Sequence, residues 1–196
     1  MDYATEDFRH AAALLKDNPA WHDIRDAIES LGVEAIEEKQ RELAARGRAP
    51  RGGQTAINAL FGDLLPEPRW THQPRLFDAD ELRKWKMDFL MANVGVEVSF
   101  NHAEAIPWQF TRLNIAGESE RVKPESRIHV GVVVTATDSL KAWSRMDSAV
   151  GTFDAFRAWM REMKPILPVP LLLVGLDASD WPPTQVFGGT RSGLRA

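Results

Sequence analysis

The stretch that most constrains the fold runs from Trp85 to His102, where two β-prone segments, Lys86–Met91 and Val94–Phe100, flank Ala92-Asn93. A short turn at that dipeptide makes the two segments a hairpin. In the second segment Val94, Val96, Val98 and Phe100 alternate with Gly95, Glu97, Ser99 and Asn101. A period of two puts the apolar set on one face and Glu97 and Ser99 together on the other. Asp88, near the middle of the first segment, then lies beside Glu97 across the hairpin. Two carboxylates converging at the edge of an apolar sheet repel each other unless a cation sits between them. The pattern Asp-x8-Glu-x-Ser therefore outlines a divalent-metal site. The alternative is an ordinary acidic strand face turned to solvent.

The flanking chain reads as helix before the hairpin and as alternating helix and strand after it. Residues 5–31 predict one or two helices from the spacing of Phe8, Ala11, Leu15, Trp21, Ile24 and Ile28, broken at Asn18-Pro19. Val33–Arg46 predicts a further helix with a polar face. Arg46, Arg48 and Arg51 then stand among glycines before a helix over Thr55–Leu65. That cationic loop reaches phosphates through Arg48 and Arg51, or is a solvated linker. Trp70 reads as a core anchor, as do most of the seven tryptophans. Beyond the hairpin, Asn101 is placed to cap a helix with Pro107 in its first turn. Ile128–Thr137 and Pro168–Leu176 are buried strands. Between them lies an amphipathic helix, Thr152–Met163, with Phe153, Phe156, Trp159 and Met160 inward.

That order predicts an α/β fold: a mixed central sheet flanked by helices, with an N-terminal helical segment. At 196 residues the chain suits a single domain. Its helical part covers about 1–69, its core about 70–176 and its tail 177–196.

Several function classes are excluded by composition. With no cysteine there is neither a disulfide nor a thiolate metal site, and the five histidines show no His-x-x-x-His spacing. No run approaches the roughly 18 apolar residues of a membrane span, and no secretory leader opens the chain, so a cytoplasmic protein without membrane contact is expected. A net charge of −4 does not advertise nucleic-acid binding, although a local basic surface suffices for it.

Taken in order, a set of segments resembles the BglII/BstYI family of type II restriction endonucleases, within the PD-(D/E)XK nuclease fold. They are His10-Ala11, Trp21, Gly52-Gly53-Gln54-Thr55-Ala56-Ile57, Trp70, Met87-Asp88-Phe89, Val96 through His102, Gly131 through Thr135, and Val169 through Leu176. The resemblance implies Mg²⁺-dependent hydrolysis of double-stranded DNA at a short palindrome by a homodimer, with Mn²⁺ as a substitute metal. A cognate DNA methyltransferase is then the functional, not physical, partner.

The same resemblance makes Asp88, Glu97 and the Val98 carbonyl the metal ligands. It makes Ser99 a water-positioning group where relatives carry Lys or Gln, and places Gln73 at an extra polar position. Base contacts map to Asn101 and His102, and to Ala142–Ser148 with Ser144, Arg145, Asp147 and Ser148 as candidates. Asn101 can read adenine or cap its helix, and Arg145 can read guanine or be a surface arginine. Rival readings are a catalytically weak or idle DNA-binding module of the same fold, a structure-directed nuclease, and a small-molecule metallohydrolase.

Overall fold

A computed structural model describes residues 1–47 and 52–187. Arg48 and Arg51 lie outside the described residues. The chain opens with strand β1 (Asp2–Phe8), then helices α1 (Ala11–Leu15), α2 (Pro19–Ser30), α3 (Val33–Ala45) and α4 (Gln54–Leu64). Strands β2 (Thr71–His72), β3 (Phe89–Met91) and β4 (Val94–Val98) lead to helix α5 (Ile106–Glu118). Strand β5 (Val130–Ala136), helices α6 (Asp138–Trp143) and α7 (Phe153–Glu162), and strand β6 (Leu171–Asp177) complete the order.

The six strands form one sheet in the order β1-β6-β5-β4-β3-β2. Strands β4, β5 and β6 are parallel, while β1, β3 and β2 join antiparallel at the two sides. The mixed α/β architecture expected from the sequence is therefore present. Helices cover both faces. Val96, Val98, Val132, Val134, Leu172 and Val174 pack with α1 to α4 and with Leu140 of α6. On the other face Val133, Leu171 and Leu173 meet Phe110 and Leu113 of α5 and Phe153, Phe156 and Met160 of α7. Among the described residues no helix is long and apolar enough to cross a membrane.

Four expectations need correction. Residues 5–8 are strand, not helix: Asp2–Phe8 pairs residue for residue with β6, from Asp2↔Asp177 to Phe8↔Leu171. Sheet pairing overrides a weak local pattern there, and the charged side chains suit an edge strand. Arg9 and His10, at φ 54° and 62°, then turn the chain into α1. Second, α6 occupies a stretch where no helix was expected; it starts where the Thr137 hydroxyl accepts the Leu140 N–H (3.4 Å). Third, Asn101 caps nothing. Helix α5 begins five residues later, after a 3-10 turn over Ala103–Ala105. Fourth, Trp108 and Trp159 are exposed, whereas Trp70 is the expected anchor, buried with its Nε1 donating to Asp23 (3.0 Å).

Candidate active site

The hairpin turn fixes the site. Ala92 and Asn93 both have positive φ (47° and 62°), the backbone of a two-residue turn whose twist matches its strands. It sets the register Met91↔Val94, Leu90↔Gly95 and Phe89↔Val96, which brings Asp88 beside Glu97. At Asp88 the regular ladder stops. The Asp88 N–H reaches the Val96 carbonyl (3.2 Å), and the Val98 N–H donates to Asp88 Oδ2 (2.9 Å). The carboxylate thus takes a backbone donor that β3 would otherwise bond. A strand residue turns its N–H and C=O to the same side, so the Val98 carbonyl also faces the space beside Asp88. Gln73 Nε2 donates to the other oxygen, Oδ1 (3.0 Å).

Glu97 is on the opposite side of β4 from Val96 and Val98, as the alternation requires, but this face is not solvated. Helix α5 covers it, and Glu97 is only 1% exposed. The close approach of α5 uses glycine in β5: a Cβ on Gly131 would stand 2.9 Å from Leu113 Cδ1. One residue before Leu113, Arg112 Nη1 donates to Glu97 Oε2 at 2.7 Å. Glu97 Oε1 is buried with no hydrogen-bond partner. Burial pushes the Glu97 carboxyl up to about 8; the charge of Asp88 adds to the rise and Arg112 opposes it. Burial also raises Asp88, against the Val98 and Gln73 hydrogen bonds and the Arg112 charge. A solvent-facing pair would show neither effect.

A cleft of about 260 Å³ opens onto Asp88, lined by Asn58, Gly62, His72, Gln73, Phe89 and Val98. Asn58 and Gly62 are one turn apart on α4, so one helical face closes the cleft. Ser99 is buried; its N–H donates to Val134 O (2.8 Å), and its hydroxyl receives the Asn101 amide at 3.5 Å.

The chemistry of the donors decides which metal ion suits them. Two adjacent carboxylates, one with an orphaned buried oxygen, and a backbone carbonyl are hard oxygen donors of the kind Mg²⁺ takes. Among the described residues no group of three or more His, Cys, Asp or Glu converges, which does not suit a structural zinc site. The residues fit a Mg²⁺-type ion.

The two segments expected to contact bases are neighbours. Gly151 N–H donates to Asn101 O (3.0 Å) and Ala103 N–H to Ala149 O (2.8 Å), around a bridge between His102 and Val150. Asn101, His102, Arg145, Asp147 and Ser148 are exposed along this rim. Lys141 Nζ pins its loop by donating to Ser148 O (2.8 Å) and Val150 O (2.7 Å). Ser144 is excluded from base contact: it is buried, with its hydroxyl on Leu140 O (2.6 Å). Its carbonyl accepts the Gly53 N–H (2.8 Å), and a Cβ on Gly52 would stand 2.8 Å from Arg145 O. The end of the cationic loop is therefore seated against the same rim.

Arg112, Asn58 and His72 were not singled out by sequence reasoning. For Arg112 a signal exists. Gln109 and Arg112 share a helix with Ile106, Phe110 and Leu113, and polar side chains beside a buried stripe ask for partners.

A model of the restriction endonuclease BglII/BglIII family matches residues 3–176. The chain belongs to that family. Its fold is similar to restriction endonuclease BglII crystallised with a DNA 16-mer, at TM-score 0.65 and 15% identity over 91% of this chain and 77% of that one. Free BglII matches at TM-score 0.59 and 15% identity, over 91% and 80%. None of the curated proteins matches the sequence. Family and fold together support a nuclease of the restriction type.

Proposed function

We propose that this chain is a type II endonuclease that hydrolyses phosphodiester bonds of palindromic double-stranded DNA with Mg²⁺, acting as a homodimer. The observation that carries the reading is the acid hairpin. Asp88 lines a cleft and stands next to Glu97, which is buried and whose Oε1 has no partner. The DNA 16-mer held by the BglII crystal structure supports DNA as the substrate here.

Asp88, Glu97 and the Val98 carbonyl would hold the ion, which when bound polarises the scissile phosphate and makes bound water a better nucleophile. Gln73 and the Val98 N–H clamp Asp88, so its oxygens need little reorganisation. Arg112 fixes Glu97 through one oxygen and leaves the other to the site. It also brings the positive charge that a serine at position 99 cannot supply. Ser99 orients the attacking water. Water adds to phosphorus, the P–O3′ bond breaks, and the water proton ends on the leaving 3′ oxygen.

Asn101, His102, Arg145 and Ser148 read base edges from one rim, and Arg48 and Arg51 contact phosphates. A palindrome offers two identical half-sites, which a two-fold dimer matches. Methylation of the site by a cognate methyltransferase protects host DNA.

The test is incubation of unmethylated plasmid or phage DNA with Mg²⁺ and either the protein or its Asp88→Ala variant, with the fragment ends sequenced. Discrete fragments that vanish in the variant are expected. Specific binding without cutting, in Mn²⁺ as well, would instead select the idle module that Ser99 makes the second reading.

A further inference from the structure

The ladder that carries Gln73 and Asp88 does not end with them. Gln73 N–H donates to Asp88 O (2.9 Å), Met87 N–H to Pro74 O (3.3 Å) and Leu76 N–H to Trp85 O (2.9 Å), around an antiparallel bridge between Arg75 and Lys86. Those flanking bonds make Arg75 and Lys86 a non-hydrogen-bonded pair, the position where facing side chains come closest. Like charges directly opposite each other destabilise a sheet. Arg83 and Lys84 complete the lining of the same open cleft, about 460 Å³ in volume.

Acids nearby do little to neutralise it. Asp80, 88% exposed, meets Arg75 Nη2 only at 3.5 Å, and Asp78 is engaged with Lys123 at 3.7 Å. Arg75 Nη2 also donates to Asp78 O (3.3 Å), while Arg75 Nε is buried without a partner. In a chain of net charge −4, four cations on one concave surface call for an anion.

Position says which anion. The Arg75 and Lys86 pair stands two residues further along the same ladder than Gln73 and Asp88, about 7 Å away. We propose that the Arg75, Arg83, Lys84 and Lys86 cleft binds the sugar–phosphate backbone of duplex DNA next to the scissile phosphate. This rests on the nuclease reading of the carboxylate pair and adds a second, sequence-independent contact to it. The cleft holds phosphates, positions the strand for Asp88 and reads no bases.

The double variant Arg83→Gln/Lys84→Gln tests this, since both side chains are exposed and neither supports the core. Binding of site-containing and site-free duplexes is measured without divalent metal as salt is varied. The slope of log K against log salt is expected to fall by about 1.8, roughly 0.9 for each phosphate that the variant no longer neutralises. Affinity for both duplexes should fall by the same factor. Replacing the flanking phosphates by neutral methylphosphonates should weaken the wild type more than the double variant, which keeps Arg75 and Lys86. An unchanged slope, in a wild type that binds and cuts DNA, overturns the cleft alone. A wild type that neither binds nor cuts DNA overturns the cleft and the nuclease reading together.

Discussion

Near the carboxyl ends of two parallel strands, Asp177 of β6 and Glu97 of β4 occupy similar places in one sheet and receive opposite treatment. Asp177 takes hydrogen bonds from the Thr137, Ser139 and Ser179 hydroxyls and from the Ser179 N–H. Burial would raise its carboxyl, but these donors hold it well below the usual carboxylate range. Glu97 has a single cation on one oxygen and nothing on the other, and burial drives it to about 8. The first carboxylate is complete as folded, and it ties β5, α6 and β6 together. The second is incomplete, and the fold carries the cost of keeping it so. Incompletely satisfied groups of this kind cluster where ligands bind.

The largest expected effect that would break this contrast is on catalysis. Asp88→Asn and Glu97→Gln should each lower the cleavage rate by on the order of a thousandfold, several kcal/mol of barrier. Comparable cutting by either variant would mean that the carboxylates are not the centre of the chemistry.

Next comes stability against pH in the absence of divalent metal. The folded value of Glu97 lies above its ordinary value of 4.5, so its contribution is intact below that pH. It is lost as pH rises towards about 8, at up to about 1.4 kcal/mol per pH unit. Glu97→Gln should flatten that decline and unfold at a higher temperature than the wild type at pH 8. Asp177 works in the other direction. Its folded value is depressed, so its contribution is present at neutral pH and is lost only as acid protonates it.

A smaller effect belongs to Arg112. Arg112→Met should cut activity by about 10- to 100-fold, the usual range for a group that orients a metal-binding side chain. It should also lower stability at pH 8, because without Arg112 the Glu97 carboxyl rises further and must take up a proton to stay buried. Arg112→Lys should restore part of both, which a purely packing role would not explain.

The smallest change is expected from Asp177→Asn. Losing charge-assisted hydrogen bonds there should remove about 2 kcal/mol, or about 5 °C in unfolding temperature, with the cleavage rate unchanged.

Much of this was legible in sequence because the acid hairpin is local. Alternation over Val94–Phe100 and the Ala92-Asn93 turn fix which residues face each other within a few positions of the chain. Strands β5 and β6 were equally readable, being apolar runs buried on both faces. The failures concern contacts set by distant partners. β1 is strand only because β6 lies beside it. Arg112 meets Glu97 only because α5 folds back over the sheet. The deep burial of Glu97 was invisible for the same reason, since alternation identifies a face without saying what covers it. Family resemblance supplied the site roles of Gln73 and Val98, and the geometry sets both against Asp88.

The central claim is that the Asp88 and Glu97 pair is built to receive a divalent cation. Calorimetric titration of Mn²⁺ into the protein at pH 7, repeated in buffers of different ionisation enthalpy, addresses it most directly. Wild-type protein should bind Mn²⁺ and release protons, because Glu97 must ionise to ligate the metal. Glu97→Gln should lose that proton release and most of the affinity. Equal binding by the two proteins, with no difference in protons released, would contradict the account.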